Sequence, residues 1–130
     1  MRRVALASAF LSLILISWGC DNGPKTYRVT GTVTWQGKPV EDGQIIFEAE
    51  DGQTHPAAGK FQPGGKYELR IAAGQKRVKV HAQRSKGFSK VMNQETFEAY
   101  IPVEYDAKSN LKFEVQPNDD NVYDLNLPLK

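Results

Sequence analysis

Strict alternation of apolar and polar residues opens the chain's main body. In "TYRVTGTVTWQ", Tyr27, Val29, Val33 and Trp35 fall on one face, with Gly31 among them. Arg28, Thr30, Thr32 and Thr34 fall on the other. A period of two in β-branched and aromatic residues commits a segment to a half-buried strand. The pattern recurs. "QIIFE" is a short apolar run around Ile45, Ile46 and Phe47. "KYELRI" turns Tyr67, Leu69 and Ile71 inward, and "QKRVKVHAQR" does the same with Val78, Val80 and Ala82, leaving Arg77, Lys79, His81 and Gln83 outward. "LKFEV" and "VYDLNL" set Leu111, Phe113, Val115, Tyr123, Leu125 and Leu127 inside. Between these runs stand Gly, Pro, Asn and Asp, as in "QGKPVEDGQ", "QPGG" and "PNDDN", which is turn chemistry. No comparable helical period follows residue 26. Six or seven short strands, each with one polar face, predict an all-β fold: an antiparallel two-sheet sandwich. A small closed barrel is the rival architecture.

The first twenty residues, "MRRVALASAFLSLILISWGC", follow a different logic. Arg2 and Arg3 give a positive start, Val4 to Ile16 is almost wholly apolar, and Ser17 to Gly19 lead into Cys20. This is the layout of an export signal, and its apolar run is short for a bilayer span. Cys20 is the sole cysteine of the chain, so it has no intramolecular disulfide partner. Residues 1–20 resemble a bacterial lipoprotein signal, with Gly19 and Cys20 matching the cleavage motif and Ser17 and Trp18 departing from its usual pattern. The resemblance implies cleavage after Gly19, acylation of Cys20, and membrane lipid as a partner. The expected organisation is a signal over 1–19, a tether over 20–26 and a sandwich domain over 27–130. Without Arg2 and Arg3, the 17 basic residues fall to 15, equal to the 15 acidic ones. The small positive balance therefore belongs to the signal, and nucleic acid is not an expected partner.

One segment breaks the rhythm. "SKGFSKVMNQETFEAYIPVEYDAKSN" between Arg84 and Leu111 is long for a connection. "QETFEAY" has the spacing for one or two helical turns. Its aromatics either cover an open end of the sandwich or form a binding loop over 86–106, with Phe88, Phe97, Tyr100 and Tyr105 as the contact residues.

Signals for chemistry are sparse. His55 and His81 are far apart and have no ligand cluster around them, so no metal or cofactor is expected. "EAEDGQ" and "PNDDN" lack the spaced pattern of a calcium loop, and their acids and amides read as turn formers. Ser85, Ser89 and Ser109 have no nucleophile elbow around them. Lys76, Arg77, Lys79, Arg84, Lys86 and Lys90 form a basic run that reads as a solvated strand face or as a contact for anionic lipid.

The order "VTGTVTWQGKPVEDGQIIF", "GGKYELRI", "GQKRVKVHA", "YIPVEYDAKSNLKFEV" and "NVYDLNL" resembles the carboxypeptidase-regulatory-like, transthyretin-like β-sandwich lipoproteins of planctomycete-type bacteria. That resemblance implies a prealbumin-like or Ig-like sandwich of about seven strands at the cell envelope, with no catalytic residue to carry over. The expected role is a non-enzymatic, lipid-anchored envelope module that is structural or binds envelope proteins. The alternative is a module that binds carbohydrate or another envelope polymer through the 86–106 loop.

Overall fold

The computed structural model describes Gly19, residues 23–50, Gly52 and residues 55–129. Cys20 and most of the segment expected to be an export signal lie outside the described residues. The chain folds as two sheets packed face to face.

The first sheet is built on β1 (Thr26–Trp35). On one edge β1 pairs antiparallel with β5 (Lys66–Ala72), from Thr26 opposite Ala72 to Thr32 opposite Lys66. The short β2 (Lys38–Pro39) extends that edge opposite Thr34 and Trp35. The other edge of β1 takes the C-terminal segments β9 (Asn121–Val122) and β10 (Leu125–Leu127), both parallel to it. The sandwich is thus antiparallel-rich with one parallel edge. "VYDLNL" also departs from its single-strand reading. Between β9 and β10 the Asp124 carboxylate accepts the Thr32 N–H at 2.8 Å, taking the place of a backbone acceptor. Gly31 permits this detour. A Cβ at that position would lie 1.9 Å from the Tyr123 carbonyl oxygen, so no larger residue fits there without moving the edge.

The second sheet runs β4 (Ala57–Lys60), β3 (Gly43–Ala49), β6 (Gly74–Ser89), all antiparallel. The far edge of β6 is shared. β8 (Leu111–Val115) pairs with its first turn-proximal residues, Gly74 to Val78, and β7 (Gln94–Ala99) pairs with Gln83 to Ser89.

The inward faces meet as the alternation predicts. Val29, Val33, Leu69, Ile71, Leu125 and Leu127 from the first sheet pack against Ile45, Phe47, Val78, Val80, Ala82 and Val115 from the second. Phe47 is fully buried at the centre, 6.2 Å from the Tyr67 ring, 6.1 Å from Phe113 and 6.2 Å from Tyr123. The Tyr67 hydroxyl donates to the Tyr123 carbonyl at 2.5 Å, and burial pushes its pKa far above the ordinary value. The "PNDDN" turn is held by side chains as its composition implies. The Asn121 amide donates to the Gln116 and Asn118 carbonyls, while its oxygen accepts the Gln116 N–H.

Two readings of the sequence are corrected. "QETFEAY" is not helical: β6 continues to Ser89 and supplies an open edge on which β7 is templated. Lys76 does not belong to the solvated basic face. It is in phase with Val78 and Val80 and only 3% exposed.

Candidate functional site

The segment after Arg84 divides into two parts with different fates. Ile101 is buried, and Tyr100 and Tyr105 are partly buried against the core. His81 Nδ1 meets Asp106 Oδ2 at 2.7 Å and ties this part to β6. Here the aromatics do cover one end of the sandwich. Phe88 and Phe97 do not: they are 64% and 57% exposed.

Both sit on a β-hairpin that extends past the sandwich body. Arg84 to Ser89 is enough chain to project about 20 Å at the usual rise per residue. Phe97 pairs with Ser85, and Glu95 pairs with Phe88. The register slips at Lys86, a β-bulge, next to Gly87 with φ of +96°. Without that extra residue Phe88 would fall opposite Gln94, on the other face of the ribbon. The bulge turns Phe88 onto the face of Phe97, the kind of re-aiming that bulges provide. At the tip, Ser89 Oγ accepts the Met92 N–H at 3.3 Å and Asn93 turns the chain with φ of +52°. Val91 and Met92 stand in solvent there. Phe88, Val91, Met92 and Phe97 therefore gather on one projecting element.

The opposite face of the hairpin is ionic. Glu98 lies between Arg84 (2.8 Å) and Lys86 (3.2 Å). These hydrogen bonds, Arg84 first, hold its carboxyl below the usual glutamate range. The hairpin binds the ionised form, so this contribution is complete above the ordinary glutamate value and fades as pH falls through the lowered one. The Glu98 carboxyl carbon is expected to titrate in NMR below its ordinary 4.5, and Arg84→Gln should bring the midpoint back up. A wild-type midpoint at or above that value contradicts the arrangement. Arg77 and Lys79 similarly share Glu48, at 3.1 and 2.8 Å. Much of the basic run is thus paired with acids.

A groove lies at the hairpin's root. Its walls come from the end of β1 and the turn after it (Trp35, Gln36, Lys38, Pro39), the Glu41–Asp42 segment, and Gln83, Arg84 and Tyr100. It encloses about 350 Å³, at the lower end of small-ligand pockets. Tyr105 packs edge-on against Trp35 at 6.4 Å and fixes that ring from behind. The Gln83 N–H donates to the Asp42 carbonyl at 3.1 Å, joining the two walls. The Arg84 guanidinium lies over the Tyr100 ring, 5.8 Å from its centroid. Partial burial raises the Tyr100 hydroxyl's pKa, against a hydrogen bond from the Glu41 backbone that lowers it.

The remaining candidates have structural places. Ser109 is buried and donates to the Val78 carbonyl, Ser85 donates to Glu95 at 2.6 Å, and His55 is exposed. Among the described residues, no three His, Cys, Asp or Glu side chains gather as a metal site. Gly19 is exposed, and Cys20 lies outside the described residues. The groove was not legible in the sequence. Trp35 reads as the last core residue of its strand, and the one available signal was its place directly before the "QG" turn.

Two packed sheets around a single apolar core define this chain as a β-sandwich domain. No protein-family model matches the chain, and no curated protein matches it. Two solved structures are similar over part of their length. One is a DUF3823 family protein from Parabacteroides merdae ATCC 43184, with TM-score 0.45 and 12% identity, covering 80% of this chain and 46% of that one. The other is a 9R-lipoxygenase from Cyanothece PCC8801, with TM-score 0.41 and 16% identity, covering 78% of this chain and 16% of that one. The chain spans less than half the length of either.

Proposed function

We propose that this protein is a non-enzymatic module of the cell envelope, anchored by lipid on Cys20, that engages envelope proteins through its hairpin. The observation that carries the reading is the exposed apolar set Phe88, Val91, Met92 and Phe97 on one projecting ribbon. Exposed apolar side chains gathered on one element are the mark of an interaction site. The direction of the ribbon supports it. Thr26 pairs with Ala72, beside the start of β6, whereas the hairpin leaves from the other end of β6, near Trp35. β1 has 10 residues, so the two ends stand roughly 33 Å apart. A domain tethered through the 20–26 segment presents the tip away from its anchor, toward whatever lies opposite the membrane.

Photo-crosslinking in cells tests this. A photoreactive residue at Met92 should yield a discrete adduct with an envelope protein, and one at Glu68, on the exposed face of β5, should not. No adduct from Met92, or the same adducts from both positions, would contradict the reading.

A further inference from the structure

We infer that the groove at the hairpin's root is a binding site for a neutral glycan. The inference goes beyond the envelope-module reading and requires neither the anchor nor a protein partner. Its chemistry is that of sugar recognition. A pyranose ring has an apolar C–H face bordered by hydroxyls that both donate and accept hydrogen bonds. Trp35 and Tyr100 line the same groove and are partly exposed. Arg84 lies over the Tyr100 ring, so the Trp35 ring supplies the aromatic surface on which such a face can rest, with the Tyr100–Arg84 stack beside it. Around them stand planar polar groups that reach hydroxyls edge-on: the Gln83 amide, the Arg84 guanidinium and the Glu41 and Asp42 carboxylates. Glu41, Asp42, Gln83 and Arg84 are all exposed.

Charge and rigidity narrow the class. Around the groove Lys38, Arg84 and Lys86 are matched in number by Glu41, Asp42 and Glu98, so the site favours neither an anionic nor a cationic ligand. Both aromatic groups are held in advance of binding. Tyr105 backs the Trp35 ring, and its hydroxyl accepts the Leu129 N–H at 3.1 Å. Arg84, paired with Glu98 at 2.8 Å, stays over Tyr100. Preorganised side chains lower the ordering cost of binding. The groove opens at the end of the sandwich that carries the hairpin, away from Thr26, where an extended polymer has access.

The chain's tryptophans are Trp18 and Trp35, which provides a direct readout. In the full-length chain carrying Trp18→Phe, in mild detergent, all indole emission comes from the groove. Titration with cellohexaose and with chitohexaose should produce a saturable change in that emission with at least one of them. Tyr100→Ala should weaken binding about tenfold or more, the loss typical of an anchoring aromatic. Glu41→Ala, at an exposed position that leaves the fold intact, should weaken it measurably. Glu68→Ala, on the exposed face of β5 and outside the groove, should leave it within about twofold, a difference of well under 1 kcal/mol. No saturable change with either sugar would overturn the inference. So would equal effects of Glu41→Ala and Glu68→Ala. Failure of the Met92 crosslink with retained sugar binding would sink the hairpin reading alone.

Discussion

Phe47→Ala is expected to destabilise the domain by about 3–5 kcal/mol, the usual cost of emptying a buried aromatic site. The position makes the upper part of that range the expectation. Phe47 has no exposed surface, and its ring touches Tyr67 from the first sheet, Phe113 from β8 and Tyr123 from the C-terminal edge. Phe113 and Tyr123 stack on each other at 4.5 Å and cannot both follow the vacated space without parting. The hole therefore collapses poorly, and poor collapse raises the cost. Against a typical total of about 5–15 kcal/mol, such a loss is a large fraction of the fold. At about 4–8 °C per kcal/mol for a domain of this size, the melting temperature should fall by at least roughly 12 °C. Phe88→Ala, on the exposed hairpin, should stay within about 0.5 kcal/mol. Chemical denaturation of both variants checks the pair. A Phe47→Ala cost below about 1 kcal/mol, or equal costs at both sites, would contradict the packing described.

Where neighbours along the chain decide the outcome, the sequence was readable. Each strand with a polar face showed its period, and the residues placed inward at Val29, Val33, Leu69, Val78, Val80 and Val115 are buried. What escaped depends on pairing between distant segments. The helical spacing in "QETFEAY" is real, but β6 offers an unpaired edge and β7 takes it. Phe88 and Phe97 share a face only because of the bulge at Lys86, and alternation counted along one strand cannot register a slip against its partner. Lys76 keeps the inward phase of its strand, although its charge reads as surface. The groove draws on three stretches, 35–42, 83–84 and 100, that meet only once both sheets are in place. Covering and exposure were set as alternatives for the 86–106 segment. The chain does both, with Tyr100, Ile101 and Tyr105 packed down and Phe88 and Phe97 left out.

The second large effect concerns location. Cys20→Ala removes the one sulfur in the chain able to accept a diacylglyceryl group. Two acyl chains suffice for stable attachment where one is marginal, so the variant should either leave the membrane fraction or retain its export signal uncleaved. The basic run adds little to hold it there. The Arg77, Lys79, Arg84 and Lys86 side chains pair with Glu48 and Glu98, which weakens any electrostatic hold on anionic lipid. Wild-type partitioning of a Cys20→Ala chain from which the signal has been removed would take the anchor out of the account.

The central claim is most directly tested by the intact mass of the mature protein recovered from fractionated cells. The account predicts a chain that begins at Cys20, is heavier than its bare polypeptide by a diacylglyceryl group and any further acyl chain, and is found with the membranes. An unmodified mass in the soluble fraction would contradict it.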